Sequence, residues 1–186
     1  MAATAEHPAT YEDLRKVPEN RIAEIIDGRL ETQPRPAPKH ALATSGLGME
    51  IGPPFQGGRG GPGGWWILDE PELHLGNHVL VPDLAGWRKE RLPVMPETAW
   101  FEVVPDWICE VLSPATAQRD RGAKRRIYAD FGVVHLWLVD PDQRTLEVFE
   151  RREGRWLLLD TFAGDDEVKA PPFAAVPFPL ASLWGG

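Results

Sequence analysis

Cysteine is nearly absent from the chain, since Cys109 is the single one in 186 residues. A disulfide framework within the chain is therefore excluded, and a reducing compartment is expected. The sequence also has no apolar run of the length that a membrane span needs, and its first twenty residues lack the apolar stretch of a signal peptide. We therefore expect a cytoplasmic protein with no membrane partner.

An excess of basic residues is absent as well. The formal net charge of -8 argues against a broadly basic protein that binds nucleic acid nonspecifically. One local segment, "QRDRGAKRR", nevertheless carries five of the twenty Lys and Arg residues. A solvated helix face is one interpretation of this segment. A nucleic-acid contact is the other, and its candidate residues are Arg119, Arg121, Arg125 and Arg126.

Turn and cap residues divide the chain into short elements. They predict one domain over residues 11–186, which follows a flexible tail over residues 1–10. Asp27-Gly28 predicts the turn of an N-terminal hairpin, and the glycine-rich stretch "GPPFQGGRGGPGG" predicts a mobile loop. The segment "HVLVPDLAGW" predicts a strand that contains or follows a kink at Pro82.

The most apolar strand patterns are "DWICEVLS" and "VVHLWLVDP". The segment "SPATAQRDRGAKRRIYADFG" between them predicts a helix that ends at Gly132. Because two strands joined by one helix form a β-α-β unit, we expect them to be parallel neighbours. The full order of elements predicts an α/β fold, with a central mixed sheet flanked by helices and an N-terminal hairpin.

Two acidic residues occur in segments that otherwise read as sheet core: Glu110 lies in the best strand, and Asp83 begins another strand. An unpaired charge in a buried strand is costly, so Glu110 needs a basic partner, hydrogen bonds or a metal ion. On the following helix Asp120, Lys124 and Tyr128 are spaced by four residues and form one polar stripe. Lys124 is therefore the candidate partner of Glu110, and Asp83 on an adjacent strand could complete a pair of carboxylates.

Two interpretations of these residues stay open. Paired carboxylates beside a lysine suit phosphodiester hydrolysis, in which the acids hold Mg²⁺ through hard oxygen ligands. The lysine would then orient water or stabilise developing charge. The alternative is a structural ion pair between a strand acid and a helix lysine.

Several blocks have the order and spacing of one family: "AEIIDGRLE", "VPDLAGW", "PDWICEVLSPAT", "RDRGAKRRIYADFGVVHLWLVDP" and "RTLEVF". Over roughly residues 10–162 the chain resembles the Uma-type restriction endonucleases of the PD-(D/E)XK nuclease superfamily. The resemblance implies a restriction-endonuclease-like core. It also implies a nuclease that depends on Mg²⁺, for which Mn²⁺ can substitute.

The resemblance also implies roles for individual residues. Asp83 matches the first metal carboxylate and Glu110 the second, and the backbone carbonyl of Val111 would be a further ligand. The superfamily motif has its lysine two residues after the second acid, where this chain has Leu112. Family members take the lysine from the next helix, which matches Lys124. The implied catalytic residues are therefore Asp83, Glu110 and Lys124.

Four further residues are additional candidates for the site. Glu24 matches an acid of the family's hairpin, either a ligand or a structural carboxylate, and His40 matches a histidine at the start of the family's helix. Asp120 and Tyr128 are included because they share the polar stripe of Lys124.

Other residues are less suited to the chemistry. His74 and His78 are four residues apart, but the intervening glycine and asparagine favour a turn, and no cysteine or third histidine accompanies them. No zinc site is therefore expected. Asp106 precedes Glu110 by four residues on an extended strand, about 13 Å away, which is too far for the two to share one ion.

The first hypothesis is a Mg²⁺-dependent endonuclease that hydrolyses DNA and, because one cleavage centre cuts one strand, acts as a homodimer. The second is a nucleic-acid-binding or partner-binding module on the same fold with a degenerate site, which the acidic net charge favours. Phosphodiester cleavage that depends on Lys124 separates the two.

Overall fold

The computed structural model describes residues 7–185. Its helices and strands are, in chain order, α1 Tyr11–Arg15, β1 Arg21–Ile26, β2 Arg29–Pro34, α2 Pro38–Ile51, β3 Trp65–Asp69, β4 Leu73–Leu75, β5 His78–Leu80, β6 Leu84–Arg88, β7 Trp107–Val111, α3 Ala117–Arg119, α4 Arg125–Phe131, β8 His135–Asp140, β9 Thr145–Arg152, β10 Arg155–Ala163, β11 Glu167–Val168 and β12 Phe178–Pro179. In addition, π-helical turns occur at Gly52–Gln56 and Asp120–Lys124, and a 3-10 helix at Leu180–Trp184.

A six-stranded mixed sheet in the order β10-β9-β8-β7-β6-β3 forms the centre of the fold. β7 and β8 are parallel, with Glu110 opposite Leu138, and the other neighbouring strands are antiparallel. The predicted β-α-β unit and mixed sheet are thus confirmed. β7 lies in the interior of the sheet, between β8 and β6, and all five of its residues are buried.

A second sheet, in the order β2-β1-β5-β4, contains the predicted N-terminal hairpin. Asp27 and Gly28 form its turn with φ angles of 50° and 75°, the left-handed conformation that glycine tolerates. Pro82 lies where the chain passes between the two sheets: β5 belongs to the four-stranded sheet and β6, after the kink, to the six-stranded one. This passage brings the hairpin close to one end of the central sheet.

Apolar side chains from β7 pack on both faces of the central sheet. Trp107 and Cys109 belong to the core that includes α2 and the C-terminal segment, and Cys109 is fully buried, as its strand position predicts. Ile108 and Leu112 belong to the opposite core, which includes α4. Alternation along the strand therefore turns Glu110 toward the α4 side.

The helix predicted between β7 and β8 is present but not uniform. Its first turn, α3, passes into the π-helical turn Asp120–Lys124 before α4 begins, and Gly132 ends it with a φ of 93°. In the glycine-rich segment, α2 continues into the π-helical turn Gly52–Gln56 before the exposed glycines. No helix within residues 7–185 is long and apolar enough to cross a membrane.

The N-terminal tail is described only in part. Residues 1–6 of the predicted tail lie outside the described residues. Ala9 N donates a hydrogen bond to the carbonyl of Gly28 at 2.8 Å, which connects the chain before α1 to the hairpin turn.

Candidate functional site

The candidate site lies where β7 ends and β6 begins. Leu84 of β6 pairs with Cys109 of β7, so Asp83 lies beside Glu110 at the edge of the antiparallel pair. The Asp83 carboxylate accepts a hydrogen bond from Val111 N at 2.7 Å through Oδ2. The register of these two strands therefore brings together two acidic residues from distant sequence segments.

Lys124 lies at the centre of the buried charges. Its Nζ is 2.8 Å from Oε1 of Glu24, 2.8 Å from Oε1 of Glu110 and 3.8 Å from Oδ1 of Asp120. All four residues are at most 3% exposed. We call Glu24, Glu110, Asp120 and Lys124 the Lys124 cluster. It contains three carboxyl groups and one ammonium group, all buried.

Local structure explains how these side chains meet. The π-helical turn Asp120–Lys124 buries both of its end residues, and α4 then carries Tyr128 to the same place. Tyr128 donates its hydroxyl hydrogen to Oε1 of Glu110 at 2.5 Å. The predicted polar stripe of Asp120, Lys124 and Tyr128 thus faces the acid of β7.

Glu24 reaches the site from the N-terminal hairpin. Its Oε1 accepts a hydrogen bond from Val81 N at 2.9 Å, and Lys124 Nζ donates to the carbonyl of Val81 at 3.4 Å. Its Oε2 is buried and has no hydrogen-bond partner among the described residues, while Arg119 is 3.7 Å away. Val81 was not identified from the sequence because it acts through its backbone, which leaves no side-chain signal.

Burial and charge shift the proton affinities of the cluster. Burial raises the pKa of Glu110 well above its usual range, although Lys124 opposes the shift. Burial alone would lower the pKa of Lys124, but the charges of Glu110 and Glu24 outweigh it and hold that pKa well above its usual value. Burial, followed by the charge of Glu110, also raises the pKa of Tyr128. Lys124 is therefore an ammonium and Tyr128 a neutral hydroxyl at neutral pH.

His40 connects α2 to the site. Its Nε2 is 3.1 Å from Oδ1 of Asp83, and both side chains are largely buried. Burial would lower the pKa of His40, but the hydrogen bond to Asp83 and the charge of that carboxylate raise it overall. Asp83 is therefore held on two sides, by the Val111 amide and by the His40 ring.

Leu112 occupies the position where the superfamily motif has its lysine. The structure places it in the apolar core, with 4% of its surface exposed. An ammonium group at that position would replace an apolar side chain in this core. Within residues 7–185, no three His, Cys, Asp or Glu side chains are arranged to hold a metal ion.

The four arginines predicted as nucleic-acid contacts all have partners within the protein. Arg119 bonds to Gln33 of β2, and Arg121 is 2.5 Å from Oε2 of Glu147. Arg125 stacks on the ring of Phe149, and Arg126 pairs with Asp27 in the hairpin turn. To contact phosphate, each of these arginines would have to give up its present partner within the protein.

Asp106, His74 and His78, which the sequence does not favour as site residues, have local partners or lie in the small second sheet. Asp106 accepts from Arg91 at 2.6 Å and from Arg88 N at 2.9 Å, just before β7 begins. His74 bonds to Glu72 at 2.7 Å on β4, and His78 begins β5 after a two-residue turn.

The sequence matches the model of the family Uma2, described as putative restriction endonuclease, over residues 8–181. Among solved structures the chain is similar to a putative nuclease belonging to DUF820 from Anabaena variabilis ATCC 29413. The two have 24% sequence identity and a TM-score of 0.72, and the alignment covers 96% of this chain and 98% of that chain. This likeness confirms the predicted fold. No curated protein matches the sequence.

Proposed function

Because the chain belongs to the Uma2 family of putative restriction endonucleases, we propose that it is a metal-dependent endonuclease that hydrolyses DNA phosphodiester bonds. The observation that supports this most is the convergence of Asp83, Glu110 and Lys124 at one end of the central sheet. Their residue types suit phosphoryl chemistry, in which catalysis depends on positioning and on stabilising negative charge.

The donor groups at this place fit a hard divalent cation. Asp83, Glu110 and the Val111 carbonyl would hold Mg²⁺ or Mn²⁺ through oxygen, the ligand atom that such ions prefer. Tyr128 and Lys124 both contact Oε1 of Glu110, so Oε2 would be the oxygen that binds the cation. When bound, the cation would polarise the phosphate and lower the pKa of a coordinated water.

The charge balance of the cluster also suits a bound cation. Three carboxylates surround one ammonium group, and Oε2 of Glu24 is buried without a hydrogen bond within residues 7–185. Lys124 and Arg119 are the cations next to Glu24, at 2.8 and 3.7 Å, and an additional cation would favour the ionised form of the neighbouring carboxyl groups. Glu24 would be an additional ligand or a structural carboxylate that holds Lys124.

The remaining side chains would keep the reacting groups in place. Lys124, kept protonated by its neighbours, would supply a fixed positive charge that orients Glu110 and stabilises charge developing on the phosphate. His40 would hold the Asp83 carboxylate through its 3.1 Å contact, and Tyr128 would hold that of Glu110. Asp120 would help to keep Lys124 charged.

Cleavage of supercoiled plasmid DNA, with Mg²⁺ or Mn²⁺ and with a chelator, tests this function. We expect cleavage by the wild-type protein with metal, and at least a hundredfold loss in Asp83→Asn and Glu110→Gln. Asp142→Asn is the control, because Asp142 forms a half-exposed pair with Lys39 away from the cluster. Calorimetry with each ion should show metal binding that both site variants lose. Full activity in either site variant would contradict the assignment.

The alternative is a nucleic-acid-binding or partner-binding module with a degenerate site. The buried Leu112 in place of the motif lysine is the observation that favours it. Binding of DNA without cleavage under every metal condition would support this alternative. Cleavage that is lost in Lys124→Met while the protein stays folded would exclude it.

A further inference from the structure

A pocket of about 250 Å³ opens beside Asp83 and His40. One wall runs from Gln33, near the end of β2, to Ala37, just before α2, and the other is the segment 113–116, between β7 and α3. We call this space the proline pocket. It is continuous with the candidate active site, because Asp83 and His40 line both.

The walls of the proline pocket are apolar and stiff. Pro34, Pro36 and Pro114 line it, and the proline ring fixes the backbone φ angle, so these loops keep their shape without a ligand. Apolar walls of this kind can pack against the faces of a planar ring system. A pocket that is already formed also loses little free energy through ordering when its ligand binds.

Polar groups occur at the edge of the same space. Ser113 and Thr116 are bonded to each other through their hydroxyl oxygens at 3.1 Å, and both line the pocket. Gln33 accepts from Arg119 through Oε1, which leaves its amide nitrogen as a donor. These hydroxyl and amide groups can donate to and accept from the edge of a nucleobase.

The start of α2 reaches the pocket, whose lining also includes Asp83. α2, a helix of fourteen residues, begins there at Pro38; no side chain caps its first turn, and that turn contains no acidic residue. The unsatisfied backbone N–H groups of such a helix end attract anions.

We propose that the proline pocket binds one nucleotide of the substrate strand, with its base between the proline walls and its phosphate toward His40 and the start of α2. The proposal rests on the proposed function, because it places the phosphodiester next to Asp83. A base that enters the pocket has to leave the helical stack, so the site favours single-stranded or locally opened DNA. Mononucleotides should then bind even where no cleavage takes place.

Ala37→Phe is the variant that fills the pocket. Ala37 lines it with a negative φ of -67°, which phenylalanine adopts without strain, and neither residue offers a side-chain cap to α2. Ala41→Phe is the matched control, because Ala41 is exposed on the next turn of the same helix and does not line the pocket. Neither change alters a charge or a proposed metal ligand.

Binding is measured by ligand-observed NMR and calorimetry in the presence of a chelator, so that it is independent of catalysis. The probes are the four deoxynucleoside 5′-monophosphates and 2-deoxyribose 5-phosphate. Mononucleotides should bind the wild type and Ala41→Phe with equal affinity, and at least tenfold more weakly to Ala37→Phe. The sugar phosphate should bind more weakly than any mononucleotide, since it lacks the base.

Three results would overturn the proposal: no mononucleotide binding, equal binding to Ala37→Phe and the wild type, or equal binding of the sugar phosphate and the mononucleotides. Plasmid cleavage by the wild type separates this failure from that of the proposed function. Cleavage without mononucleotide binding would refute nucleotide binding in the pocket and support the nuclease function. Mononucleotide binding without cleavage would support nucleotide binding in the pocket and refute the nuclease function.

Discussion

Replacing Lys124 by methionine should strongly destabilise the protein at alkaline pH. Methionine has a similar length, so the change removes the ammonium group and leaves little cavity. It leaves Glu24, Glu110 and Asp120 buried, with less than 5% of each exposed and without the cation that lies between them. Removal of one partner from a buried ion pair costs about 3–5 kcal/mol. For a chain of this size the melting temperature should therefore fall by about 6–20 °C.

The loss should depend on pH in one direction. The pKa of Glu110 is already raised in the folded protein, and without Lys124 it rises further. Between the folded-state pKa of Glu110 in the wild type and its higher value in the variant, the folded variant binds a proton that the folded wild type does not bind. For each pH unit by which the pH falls through this window, the difference in unfolding free energy between the wild type and the variant therefore decreases by about 1.4 kcal/mol per proton. The difference from the wild type should be largest near pH 8 and smaller near pH 5.5.

Urea unfolding at the two pH values, followed by circular dichroism, measures both effects. Lys39→Met is the matched control, because Lys39 forms an ion pair with Asp142 at 3.0 Å but is 76% exposed. Such surface pairs contribute little, so this control should stay within about 0.5 kcal/mol of the wild type. A Lys124→Met protein within about 1 kcal/mol of the wild type at pH 8 would refute the expected cost of leaving the buried carboxylates without their cation.

Three further substitutions test a hydrogen bond at the site and the packing of α2. Tyr128→Phe removes the hydroxyl that donates to Glu110 at 2.5 Å, and should cost about 1–3 kcal/mol in urea unfolding, as expected for a hydrogen bond to a charged group. Gly48→Ala should stabilise the protein by about 0.5–1 kcal/mol, because an added Cβ meets nothing within 4 Å. Gly46→Ala is the contrast: its Cβ would lie 3.2 Å from Leu183 Cα, so a melting temperature at or above that of Gly48→Ala would contradict the packing argument.

Most of the local structure follows from local sequence. The hairpin turn at Asp27-Gly28 and the end of α4 at Gly132 depend on residues that tolerate positive φ, and the structure has such angles at these positions. The parallel pairing of β7 and β8 follows from two apolar strands joined by one helix. These features need information only from neighbouring residues, which is why the sequence was sufficient to predict them.

The arrangement of charges at the site was harder to predict, because it depends on contacts between distant segments. The motif and the polar stripe together indicate that Lys124 approaches Glu110. Neither indicates that Glu24 from the hairpin binds the same ammonium group at 2.8 Å, or that Val81 contacts both through its backbone. The passage of the chain between two sheets at Pro82 brings these groups together, and it has no local pattern of its own.

The π-helical turn Asp120–Lys124 is a local irregularity that positions side chains of the candidate site. In a regular helix, residues four apart drift around the axis by about 40° per step, so a stripe of three such residues gradually leaves one face. The wider turn at Asp120–Lys124 changes this register, and both of its end residues are buried while α4 still directs Tyr128 to Glu110. Such turns occur frequently at functional sites because they reposition side chains at some cost in helix stability. Here the turn lies where Lys124 is buried among three carboxyl groups.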